Sequence, residues 1–263
     1  LASSQSSIML IKSFDGGITF SDTLRVSESL AGHKYRMANI EINENGQPIV
    51  SYMQYLLNWL EPKQMVNVSS DFGITFNGAI EASALSPGEP CDCCKSSLVS
   101  KGDDIFLMYR NNENNIRNSY VSKSNDGGLT FTSTQDLDDV NWVFNFCPTS
   151  SPVGAVNNDS IMVVRRNGGS GVNELYKSNI NMNDLQKSYF TQLDASNAPL
   201  QDKAEIASFK NSPNWSVVVW EENRNGVKEC FYSIIDNNGA NLNAGVVSDL
   251  SLIHISEPTR RRG

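Results

Sequence analysis

The chain has 263 residues, of which 39% are hydrophobic and 19% charged, and a formal net charge of -8. That is enough for one large domain or two small ones around a real core. With no run of 18 apolar residues there is no membrane span to expect, and the acidic balance with scattered basic residues counts against nucleic acid as the main partner. His33 and His254 are the only histidines, which excludes most histidine metal motifs and Ser-His-Asp triads.

In chain order, Leu1–Ser7 lacks the charged and apolar parts of a signal peptide. Ile8–Ser13 reads as a strand running into the turn SFDGGITF (13–20). YRMANIEI (35–42), QPIVSYM (47–53) and KQMVNVSS (63–70) follow as strands and lead into SSDFGITF (69–76). KSSLVS (95–100), DIFLMYR (104–110) and IRNSYVSKS (116–124) lead in the same way into SNDGGLTF (124–131), after which TFTST (130–134) opens another strand. SPVGAV, SIMVVRR and VNELYKSN form the next set, and AEIASFK, WSVVVWE and KECFYSII the last. Alternation and β-branched content make these half-buried strands rather than helices.

The three turn segments are copies of one another. Asp15, Asp71 and Asp126 are 56 and 55 residues apart, and further steps of about the same size reach Asn181 in a degenerate copy (178–185) and Asp236 in another (233–242). Within each copy the Asp carboxylate can accept backbone N–H groups across a turn, glycine permits φ > 0, and Thr-Phe restarts a strand. A fixed period of this length marks a repeated supersecondary unit.

These segments are Asp boxes, and over residues 1–249 the chain resembles the sialidase-like (BNR-repeat) β-propellers. The resemblance implies an all-β propeller of four-stranded blades, six-bladed in the parent protein, with about 4.5 blades present here. It also implies that residues 1–20 supply only the last two strands of the first blade, so that the isolated chain is an open arc. LSLIHISEPTR (250–260) reads as a translated sequencing adapter, and residues 250–263 are expected to be a non-native tail.

In a blade of strands A–B–C–D, the box lies at the C–D turn and the A-strand start and B-strand end lie at the opposite end. Asp15, Asp71 and Asp126 are therefore expected to be structural, and chemistry is expected at the other end. Sialidases clamp a carboxylate with three arginines, use a Tyr–Glu pair as nucleophile and an Asp as acid/base. Carried onto matching blade positions, Arg36, Arg110 and Arg165 become the substrate clamp, since guanidinium forks bind carboxylates bidentately. Glu221 (or Glu205) with Tyr109 (or Tyr52) becomes the pair, because a carboxylate beside a phenol can take its proton, and Asp92 the acid. The Arg-Ile-Pro motif of sialidases is absent from the chain.

Three cysteines fall in four residues at CDCC (91–94), and Cys147 sits at the corresponding place one blade on. PCDCC followed by YRNN and an Asp box resembles a bacterial sialidase-like subgroup. Cys91, Cys93, Cys94 and Cys147 are open to two readings, a disulfide joining two blades or a soft-metal thiolate site. The expectation is an exo-sialidase-like glycoside hydrolase acting on terminal acidic sugars, secreted or periplasmic, with a glycan as partner and no cofactor. The alternatives are a non-catalytic propeller that binds carbohydrate or protein, and a metal- or thiol-dependent propeller built on the cysteines.

Overall fold

The computed structural model describes residues 6–196 and 200–247; the expected tail, 250–263, lies outside them. The elements are β1 (Met9–Leu10), β2 (Leu24–Arg25), β3 (His33–Ile42), β4 (Pro48–Leu56), β5 (Lys63–Val68), β6 (Ile80–Glu81), β7 (Glu89–Pro90), β8 (Ser97–Lys101), β9 (Asp104–Asn112) and β10 (Ser119–Ser124). They continue with β11 (Ser133–Asp136), β12 (Val153–Asn157), β13 (Ser160–Asn167), β14 (Glu174–Asn181), β15 (Thr191–Gln192), β16 (Gln201–Phe209), β17 (Ser212–Glu222), β18 (Glu229–Asp236) and β19 (Asn241–Val246). No helix occurs among the described residues.

The strands form antiparallel meanders, β3–β6, β8–β11, β12–β15 and β16–β19, which are the second to fifth blades; β1–β2 form a short pair ahead of them. Strand β7 extends the third blade by pairing with the end of β9, Pro90 opposite Asn111. The first strands of the four blades stand side by side around a cavity of about 360 Å³ lined by Asn39–Glu41, Ser97–Ser100, Val153–Val156 and residues of β16. The chain is thus a β-propeller with its channel between the A strands.

Hydrophobic cores lie between blades rather than within one. In β9, Phe106 and Met108 pack against Ile161, Val163 and Ile180 of the fourth blade. Their sequence neighbours Ile105, Leu107 and Tyr109 face Ile49 and Val66 of the second. β13 repeats the pattern: Ile161 and Val163 look back, while Met162 and Val164 join Val218, Trp220 and Phe231 of the fifth blade. Successive side chains of a strand point to opposite faces, so a B strand sandwiched between blades must be apolar throughout. The runs DIFLMY and SIMVV are that signature.

The turns at 13–20, 69–76 and 124–131 share one hydrogen-bond scheme. Asp15 Oδ1 accepts from Thr19 N at 2.9 Å and Asp15 Oδ2 from Thr19 Oγ1 at 2.6 Å. Asp71 with Thr75, and Asp126 with Thr130, do the same at 2.8–2.9 and 2.6 Å. Ser13, Ser69 and Ser124 brace the turn from within, their hydroxyls accepting from Gly17, Gly73 and Gly128. A donating Thr hydroxyl, then the Thr N–H and the serine, hold Asp15 and Asp126 at a pKa of about 2, and Asp71 is lowered likewise. Asp236 keeps part of the scheme, accepting from Ala240 N at 2.8 Å.

Candidate functional site

At the end of the blades away from these turns, A strands begin and B strands finish, and the side chains there form a continuous arc from the second blade to the fifth. It starts at Trp59, in the β4–β5 hairpin, a residue that is 45% exposed. Lys34 Nζ stands 4.2 Å and the Arg36 guanidinium 5.5 Å from the ring centroid. Both come from the start of β3, which is bulged between Arg36 and Asn39, with Met37 at φ 57°. Bulges re-aim side chains at strand ends, and this one leaves Arg36 exposed beside Lys34.

Tyr55 packs edge-on against Trp59 at 5.4 Å and donates its hydroxyl to the Asp92 carbonyl at 2.6 Å, bridging to the third blade. Burial pushes the Tyr55 phenol well up, so it serves as a donor and not as a nucleophile. Asp92 itself is exposed. The loop holding it brings the thiols together: the sulfurs of Cys91, Cys93, Cys94 and Cys147 all lie within 4.8 Å of one another. Cys93 and Cys147 form a disulfide between the loops leading into β8 and β12, with Cα atoms 6.2 Å apart. Cys91 and Cys94 Sγ are 2.7 Å apart. The Cys94 thiol, and then the Cys93 N–H and the Arg117 and Arg110 cations, bring Cys91 down to about 7 against the effect of burial; the same contact and burial push Cys94 up.

Beyond the cysteines, Arg166 reaches Asp202 in the fifth blade at 3.1 Å. Next to Asp202 stands Glu221, whose side chain is 39% exposed and meets Lys203 at 3.2 Å and Lys228 at 3.7 Å. β16 is bulged here as well, with Lys203 at φ 51°. Glu222, one residue on, points the other way. Burial alone would raise its carboxyl, but hydrogen bonds from Arg224, Trp220 and Gln201 outweigh this and hold it below the usual range.

Of the residues named from the sequence, Arg36, Asp92 and Glu221 are open to solvent along this arc, and Arg110, Arg165 and Tyr109 are fully buried. Strand parity explains the difference. Arg110 shares the face of Phe106 and Met108, and Arg165 that of Ile161 and Val163, so both enter the seam between the third and fourth blades. There Arg110 donates to the carbonyls of Ser150 (2.9 Å), Arg166 (2.7 Å) and Arg117. Arg165 donates to Asp138 at 2.9 Å, to Ser178 Oγ at 3.0 Å and to the Leu137 carbonyl. Tyr109 faces the second blade, its hydroxyl 3.1 Å from Ser122 Oγ. Tyr52 is equally buried, and burial pushes its phenol up. Glu205 faces the channel instead of the arc.

Sequence reasoning missed Trp59, Tyr55, Arg117 and Trp142. Trp142 lies under both Arg110 (4.9 Å) and Arg166 (5.3 Å) and belongs to the 137–152 loop that closes the seam. The aromatic residues at the turn of a B–C hairpin and in an inter-blade loop were the available signal.

The chain matches no protein-family profile and no curated protein sequence. Among solved structures it is similar to the Hadza microbial sialidase Hz136, with a TM-score of 0.58, 12% identity, and 92% of this chain set against 52% of that one. It is similar to the NanB sialidase of Streptococcus pneumoniae, with a TM-score of 0.57 and 14% identity over 88% of this chain and 36% of that one. An α-L-arabinanase of Penicillium chrysogenum complexed with arabinobiose gives 0.55 and 12% over 82% and 67%. The chain therefore spans about half the length of the Hadza sialidase and about a third of NanB. At such identities the likeness is one of fold, the sialidase-like propeller.

Proposed function

We propose that the arc takes the terminal acidic sugar of a glycan, in the manner of an exo-sialidase-like glycoside hydrolase working outside the cytoplasm. The observation that carries the reading is the exposed Trp59 ring with Lys34 and Arg36 over it. An indole face suits the apolar side of a sugar ring, and adjacent cations suit its carboxylate. Arg36 is then the carboxylate-binding residue, with Glu221 and Asp92 as the accessible acid–base candidates. Arg110, Arg165 and Tyr109 hold the seams on which the arc is built. Propellers that are similar in fold and named as sialidases support this choice of ligand.

A second reading, glycan binding without hydrolysis, is favoured by the burial of Tyr109, whose phenol meets a serine and no carboxylate. Two measurements on the full chain separate them: turnover of a fluorogenic sialoside, and affinity for sialyllactose by calorimetry. Turnover that Glu221→Gln abolishes while affinity persists supports the hydrolase. Affinity without turnover, lost in Arg36→Ala, supports the second reading. Absence of both activity and affinity contradicts the two together.

A further inference from the structure

Beside the cysteines, two buried guanidinium groups have no carboxylate within ion-pair distance. Arg165 and Arg166 each have a carboxylate partner, Asp138 and Asp202. Arg110 and Arg117 do not: they are 0% and 7% exposed, and no ion pair involves either among the described residues. Arg110 hydrogen-bonds carbonyls alone and stacks on Trp142, and Arg117 has the Phe144 carbonyl at 3.1 Å and Cys91 Sγ at 3.8 Å. A buried guanidinium without an anion is costly, so the neighbouring group should be anionic. The thiol cluster is that neighbour.

We propose that Cys91, Cys93, Cys94 and Cys147, when reduced, bind one thiophilic divalent cation, zinc, as a closed four-sulfur site joining the third and fourth blades. Four sulfurs about 2.3 Å from a zinc ion stand about 3.8 Å from one another, so a cluster already within 4.8 Å closes by side-chain adjustment alone. Charge selects the divalent ion. A zinc ion with four thiolates is doubly negative, which the two unpaired guanidinium groups balance; a monovalent ion would leave an excess. The outer support such sites need comes from Arg117, whose Nη1 lies 3.8 Å from Cys91 Sγ. A site with four protein ligands leaves no open position, so its role is to hold blades together rather than to catalyse.

The chemistry balances with a dithiol as reductant. Breaking the Cys93–Cys147 bond leaves two thiols while the dithiol closes into its own disulfide. Zinc then forms four S–Zn bonds as four protons leave. The disulfide and the zinc centre are thus two ways of tying the same pair of loops, chosen by redox conditions. This does not depend on the glycan reading.

The test uses the full chain, reduced with dithiothreitol, desalted without oxygen and titrated with Zn2+ alone. Bound metal is read by mass spectrometry and thiol exposure by alkylation mapping. One zinc per chain is expected, with alkylation of the four cluster cysteines slowed at least tenfold. Cys94→Ser should weaken zinc binding tenfold or more, and Arg117→Gln about tenfold, as outer-shell changes do. Alkylation protection on the unaltered chain keeps the test decisive if a variant fails to fold. No zinc uptake after complete reduction, uptake undiminished in Cys94→Ser, or two disulfides that persist in dithiol with no zinc bound would each overturn the proposal.

Discussion

The two ends of the blades solve different problems. The box end is built the same way three times, each turn closed by its own Asp, Ser and Thr within a few residues. The other end is built once, from single residues of four blades that touch in sequence: Trp59 to Tyr55, Tyr55 to Asp92, the cysteines to Cys147, Arg166 to Asp202. Local repetition makes a scaffold, and non-repeating convergence makes a place where a ligand can be distinguished.

Breaking the seam beneath the arc should have the largest effect. Asp138→Ala leaves Arg165 buried without its partner and is expected to cost about 3–5 kcal/mol, measured by chemical denaturation. At the box end, Gly128→Ala combines a φ of 87° with a new Cβ 2.6 Å from Val68 Cγ2 of the preceding blade. It should cost about 2–4 kcal/mol. Gly17→Ala has φ 90° but nothing within 4 Å, and should cost about 1–2 kcal/mol, the conformational part alone. Equal losses at the two glycines would mean that box turns do not pack on neighbouring blades.

Acid sharpens the same contrast. Asp15 and Asp126 are held at about 2 when folded, below the unfolded value, and Asp71 is lowered likewise, so their stabilisation is present above about 4 and is lost as pH falls through 2. Thr130→Val should move the Asp126 titration upward, which carboxylate NMR would read. The smallest stability change, within about 0.5 kcal/mol, is expected for exposed Arg36→Ala, although its loss of sialoside affinity should be plain.

The fold was legible because its signals repeat. Box spacing set the blade period, and strand patterns placed the B strands within a few residues of β4, β9, β13 and β17. The site was legible only in part. Arg110 and Arg165 sit at B-strand ends as expected, yet a strand end is solvent-facing only if nothing covers it. The 137–152 loop does cover them, with Leu137, Asp138, Trp142 and Ser150, and that loop has no period to read. Their parity with Phe106 and Ile161 was present in the sequence and already pointed both arginines into a seam. Trp59 was hidden for the same reason as the loop, since a hairpin turn carries no alternation.

The most direct measurement is a map of amide chemical-shift changes when sialyllactose is added to the full chain. The perturbed residues are expected to cluster at 33–36, 55–59, 91–95, 202–203 and 221–228. Perturbation centred on 15–19, 71–75 and 126–130 would put the ligand at the box end and contradict it.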